Sequence, residues 1–107
     1  MFQDLIKGLN EKGAGVRAYD ACARAARARI AQEPQNAAAL LLISYAAQLF
    51  VDSYDDQPLT VDMAGDEFTR FSAIVEKLDG AAKSGKDDAM LAAVNDVAAQ
   101  LAQGPRG

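Results

Sequence analysis

The sequence predicts an all-α fold: a compact bundle of four main helices plus a short N-terminal one, built as antiparallel hairpins around a central apolar helix at about residues 37–54. Three observations predict it. Apolar residues recur at steps of three and four in several segments, the spacing of a helix face. Nowhere do they alternate with period two, as a half-buried strand requires. From Ala37 to Val51 only Ser44 and Gln48 are polar, and no residue between Glu33 and Asp52 is charged.

Phe2, Leu5, Ile6 and Leu9 give two short turns of amphipathic helix, and Gly13 and Gly15 then break the chain. From Val16 to Gln32, the residues Val16, Tyr19, Ala23, Ala26 and Ile30 form a seam suited to packing along another helix. The opposite face holds Arg17, Asp20, Arg24 and Arg27, with Asp20 and Arg24 an i,i+4 pair in the favourable order. Pro34 disfavours helix at Glu33, and Asn36 is a good N-cap for Ala37 onward. So short a connection makes the two helices antiparallel neighbours.

On the central helix Ser44, Gln48 and Asp52 lie four apart and form one narrow polar stripe. A helix apolar on every other face is a buried helix. Leu41, Leu42, Tyr45, Leu49 and Phe50 are therefore expected among the most buried residues. Flanking helices leave part of such a helix uncovered, which predicts a homodimer through the central helix or its hairpin partner. The apolar run is 15 residues long, short of the ~20 that cross the hydrocarbon. MFQDLIK has neither a basic leader nor a cleavage site. The expectation is one soluble, cytoplasmic domain over residues 1–103 with a frayed tail at 104–107.

Past Val51 the character changes. Asp52, Asp55, Asp56, Asp62, Asp66 and Glu67 fall in a stretch without Lys or Arg, and Asp55-Asp56-Gln57-Pro58 is a loop by composition. A helix from about Asp62 to Asp79 carries Phe68, Phe71, Ile74, Val75 and Leu78 on one face. Gly80 and the Lys83-Ser84-Gly85-Lys86 turn are expected to end it. The last helix starts near Asp87, its expected N-cap, with a seam of Met90, Val94, Val97 and Leu101.

Histidine is absent, which removes the commonest general base and metal ligand. The single Cys22 rules out an internal disulfide, fits a reducing compartment and has no histidine to activate it, so it reads as a buried structural thiol. No serine sits in a nucleophile elbow, and the glycines follow no phosphate-loop spacing. The acids do not match the calcium-loop pattern. No catalytic residue, cofactor or metal ligand is expected. A net charge of −4 and a pI near 4.6 argue against nucleic acid and anionic membrane surfaces as partners. Residues 1–33 carry six basic and four acidic side chains; the arginines are expected in solvent or paired with the acids of 52–67. Those acids either solvate an alanine-rich bundle or face a protein partner. In the second case Asp55, Asp56, Asp62, Asp66 and Glu67 supply charge, with Tyr54 as the aromatic anchor.

The run Ala31-Gln32-Glu33-Pro34-Gln35-Asn36-Ala37-Ala38-Ala39-Leu40 resembles the junction between tetratricopeptide repeats. The Gly and Tyr of that family's next turn are missing and no second copy follows, so the resemblance implies one helix hairpin, not a repeat array. Glu33-Pro34-Gln35-Asn36-Ala37-Ala38 followed by Leu41-Leu42-Ile43-Ser44-Tyr45 also resembles a family of small, acidic, helical bacterial immunity proteins. These neutralise a toxin delivered by type VI secretion, and the resemblance implies dimerisation and toxin capture through acidic side chains. Leu78-Asp79-Gly80-Ala81-Ala82-Lys83-Ser84-Gly85 is similar to hairpins of cytochrome c-prime and of histidine phosphotransfer bundles. The haem cysteines and the histidines are absent, so only bundle geometry carries over. The expected function is a non-enzymatic protein-binding module, as an immunity or antitoxin-like inhibitor. The alternative is a structural homodimeric bundle or adaptor subunit of a larger complex.

Overall fold

A computed structural model describes residues 1–103 of the chain. The expected tail, 104–107, lies outside the described residues. These residues form an all-α bundle without strands: α1 (Gln3–Glu11), α2 (Val16–Ile30), α3 (Ala37–Tyr54), α4 (Val61–Ser84) and α5 (Asp87–Ala102). A 3₁₀ turn, Pro34–Asn36, leads into α3.

The expected seams form the core. Phe2, Leu5 and Leu9 point inward from α1, and Gly13, at φ +86°, turns the chain into α2. On α2 the buried face is Ala18, Tyr19, Cys22, Ala23 and Ala26, small enough for α3 to approach closely. The α2–α3 hairpin is the most extensive helix pair in the fold. Asp20 and Arg24 form the expected pair at 3.1 Å. Phe71, Ile74, Val75 and Leu78 of α4, with Ala93 and Val97 of α5, complete the core. Lys77 of α4 and Asp96 of α5 form an ion pair across that hairpin.

The facing of α3 differs from the sequence expectation. Its buried residues are Ala39, Leu40, Ile43, Ser44, Ala47, Phe50 and Tyr54. Of the five residues expected to be deepest, only Phe50 is buried; Leu42 and Leu49 are half-buried, Leu41 is 54% exposed and Tyr45 45% exposed. Two physical reasons account for this. The molecule measures 41 × 26 × 17 Å, and a helix with its side chains is about 10–12 Å across, so the thin dimension cannot wrap a helix on every side. Ser44, taken as part of an outward stripe, donates its hydroxyl to the Leu41 carbonyl at 2.7 Å. Satisfied within its own helix, it can sit in the core.

Helix ends also differ in detail. Asn36 holds the expected N-cap position of α3 but makes no side-chain cap bond: its backbone is not extended, and its side-chain amide donates to Glu33 Oε1 at 3.1 Å. At α4 the cap is Thr60, whose hydroxyl accepts from the Met63 N–H at 3.1 Å. Gly80 does not end α4, which continues to Ser84 because Leu78 and Asp79 hold the preceding turn in the core. The helix stops at Gly85, in the left-handed region at φ +69°. Gly85→Ala should therefore lower stability by about 1 kcal/mol, read as a shifted urea midpoint; an unchanged midpoint would contradict the assigned cap. Lys86 holds the N-cap position of α5, without a side-chain cap, and Asp87 is the first helical residue rather than the cap.

Asp79, buried on α4, fastens the start of α1. Its Oδ1 accepts from the Phe2 N–H at 2.7 Å and lies 3.0 Å from the Met1 ammonium, while Lys83 Nζ is 2.9 Å from Oδ2. Arg29 of α2 clamps the same corner, donating to Asp4, to the Met1 carbonyl and to Glu33.

Together the 3₁₀ turn and α3 span Pro34–Tyr54, 21 residues of mean hydropathy 1.4, long and apolar enough by length and composition to cross a membrane. The stretch is longer than the 15 apolar residues counted in the sequence because the helix includes both polar-flanked ends. Its inner face is the core of the bundle.

Candidate functional site

The outward face of α3 is a ridge. Leu41, Tyr45, Gln48 and Asp52 follow one another at three- and four-residue steps along one side of the helix. Leu41 and Tyr45 are the exposed apolar end, and Gln48 donates to Asp52 Oδ1 at 3.1 Å at the polar end. The ridge runs into the acidic loop, where Asp55 closes α3 and Asp56 adopts φ +62°. Beyond the loop Asp62 and Asp66, one turn apart, are exposed on the first turns of α4.

Asp55, Asp56, Asp62 and Asp66 have no ion-pair partner among the described residues. Of the four arginines of residues 1–33, Arg24 pairs with Asp20 and Arg29 with Asp4 and Glu33, while Arg17 and Arg27 are exposed to solvent. Glu67 differs from the other acids, being half-buried and 3.5 Å from Arg70.

Tyr54 does not stand at the surface beside the acids. It falls on the inner side of α3 with Ala47 and Phe50, its ring 4.8 Å from that of Phe50. Phe68 is half-buried against the core. The exposed aromatic next to the acidic run is Tyr45. A signal for it existed: positions 41, 45 and 48 share a helix face with Asp52, the one charged residue of the central helix.

A second feature lies on the flank of α3. A cleft of about 60 Å³ opens between Ala46, Leu49 and Phe50 of α3, Phe71 and Ile74 of α4, and Leu101 of α5, with Tyr19 of α2 in its lining. Tyr19 stacks on Phe50 at 3.7 Å and meets Phe71 edge-on at 5.4 Å. Burial, and then the charge of Glu67, push its hydroxyl far above the usual tyrosine range.

No protein-family model, curated protein or solved structure matches this chain.

Cys22 is buried, and burial followed by the charge of Asp4 pushes its thiol up to about 11, which keeps it protonated and unreactive near neutral pH. Among the described residues no three His, Cys, Asp or Glu side chains converge as a metal-ion set.

Proposed function

We propose that this protein is a non-enzymatic, cytoplasmic binding module that captures another protein through the outer ridge of α3 and the acids that follow it. One observation carries the reading: an exposed apolar pair, Leu41 and Tyr45, lies in line with Asp52 and leads to Asp55, Asp56, Asp62 and Asp66, which have no ion-pair partner among the described residues. An apolar, aromatic centre bordered by charge is the composition of an interface hot spot. Unpaired carboxylates raise the encounter rate with a basic surface and repel acidic ones. In this division of labour Leu41 and Tyr45 anchor the partner, while Asp52, Asp55, Asp56, Asp62 and Asp66 steer it. Glu67 contributes less, because Arg70 already offsets its charge, and Tyr54 acts from inside by holding the end of α3 against Phe50. The resemblance to bacterial immunity proteins is consistent with a partner that is a basic toxin.

The test separates the two parts of the surface. Changing Asp55, Asp56 and Asp66 together to Asn should leave stability nearly intact, since exposed charges contribute little. Association with the partner should become slower and less dependent on salt. Tyr45→Ala should instead speed dissociation. Unchanged kinetics in both variants would contradict the proposal.

The alternative reading, a structural homodimer, is favoured by the same exposed pair. Tyr45 lies near the middle of α3, so antiparallel self-pairing would set Asp52 against the N-terminal end of the second copy's helix, where its charge is favourable. Light scattering at high micromolar concentration should then give twice the chain mass, and Tyr45→Glu should return it to the monomer. A monomeric wild type would remove this reading.

A further inference from the structure

From the corner where α1 meets α2 and α4 we infer that this chain exchanges α1 between copies: the seat that holds α1 accepts the same helix from a second molecule. The seat reads α1 by charge and shape together. The Asp79 carboxylate, buried on α4, accepts from the Phe2 N–H at 2.7 Å. Arg29 of α2 donates to Asp4 at 2.9 Å, and its guanidinium lies 5.6 Å from the centre of the Phe2 ring. Phe2, Leu5 and Leu9 are buried against the core. A phenylalanine followed by an acid two places on and leucines three and seven places on occurs once in the sequence, at residues 2–9. The segment that fits the seat is therefore α1, from its own chain or from another copy.

Two features let the helix leave. α1 is nine residues long and packs chiefly on α2 and α4. A helix that short is not stable alone, so it docks and opens as one unit. The hinge, residues 12–15, folds back sharply: Gly13 has φ +86°, and Ala14, which carries a Cβ, has φ +52°. That conformation strains an alanine, and an opened hinge relieves it. Opening also breaks the bonds from the Gly13 and Ala14 N–H groups to the Asn10 and Leu9 carbonyls, but water reaches this turn. Extended, the four hinge residues reach roughly 13 Å, past the width of one helix, about 10–12 Å. A vacated seat leaves the buried Asp79 without the Phe2 N–H, which favours reoccupation. Two copies that exchange arms regain every contact α1 makes in the monomer, and a short strained hinge promotes this. The seat lies on α2 and α4, so the exchange stands or falls apart from the α3 ridge.

The experiment reverses the charges of one contact in two full-length variants, Asp4→Lys in one and Arg29→Glu in the other. One is ¹⁵N-labelled, and both carry Tyr45→Glu to disable pairing through the ridge. Folded alone, each variant sets like charges together at the seat. Refolded together from urea at high micromolar concentration, an exchanged pair sets opposite charges together at both seats. Native mass spectrometry should then show the mixed dimer roughly tenfold above either variant's own dimer, the yield of two exposed ion pairs. A purely monomeric mixture, or mixed and like dimers in random proportion, would overturn the exchange. A second variant keeps every seat residue: deleting Gly13 and Ala14 leaves a hinge too short to turn back, and should give twice the chain mass at low micromolar concentration. A monomer after that deletion would overturn the exchange as well. Ala14→Gly, which relieves the closed hinge, should lower the dimer fraction formed when the otherwise native chain is refolded at high concentration, and a raised fraction would count against the hinge as the source of the exchange.

Discussion

Leu40→Ala should destabilise the protein by ~2–5 kcal/mol, whereas Leu41→Ala, one residue along, should change stability by no more than about 0.5 kcal/mol. Both leucines sit mid-run in the same apolar helix, so composition alone ranks them equally. The difference lies in their surroundings. Leu40 is fully buried in the cluster shared with α2 and α4, so truncation loses transfer free energy and leaves a cavity. Leu41 is 54% exposed, and its truncation removes surface that water already reaches. For a domain of this size the Leu40 loss is a large fraction of the total stability. Urea denaturation of the two variants measures the contrast directly. Equal losses would mean that α3 does not face the core as described.

The second large effect centres on Asp79. Asp79→Ala should cost about 1–3 kcal/mol, because the Phe2 N–H would be left buried without an acceptor. The Lys83 contact adds little, since that ammonium is half in water. Asp79→Asn should cost less, its amide oxygen being able to accept from Phe2. Burial by itself raises the Asp79 carboxyl, but the Phe2 N–H, Lys83 and the terminal ammonium outweigh it and hold the group well below the usual carboxylate range. A depressed folded-state value means that the stabilisation is complete above the unfolded carboxylate value of about 3.9. It is lost as pH falls from about 5 toward the folded value. Wild-type stability should thus decline more steeply than that of Asp79→Asn between neutral pH and pH 3. Parallel declines would contradict the role given to this carboxylate.

The elements were legible in the sequence because each carries its own period and its own break. The α2 seam of Tyr19, Ala23 and Ala26 and the extent of α3 needed no tertiary information. The facing of α3 did, because a helix apolar on nearly every side has little contrast between inside and outside. There the few polar residues decide, and Ser44 is a poor guide because its hydroxyl can bond a carbonyl of its own helix. The same error in facing made Tyr54 look like a surface anchor and hid Tyr45. Glycine misled in another way: Gly80 and Gly85 read alike in the sequence, but only Gly85 adopts the backbone conformation that stops a helix. Asp79 follows directly on the apolar face of Ile74, Val75 and Leu78, and its partner at Phe2 is remote in the chain. Nothing local announces such a contact.

The most direct test of the binding ridge is site-specific photo-crosslinking in the source cells. A photoreactive phenylalanine analogue would be placed singly at position 45, at position 56, or at position 99, an exposed site on α5 outside the ridge and the acidic run. The account predicts one common cross-linked protein from positions 45 and 56, weakened when Asp55, Asp62 and Asp66 are changed to Asn, and none from position 99. A product of twice the chain mass from position 45 would identify a second copy as the occupant. No cross-link from positions 45 and 56, or equal yields from all three, would contradict the ridge as the binding surface.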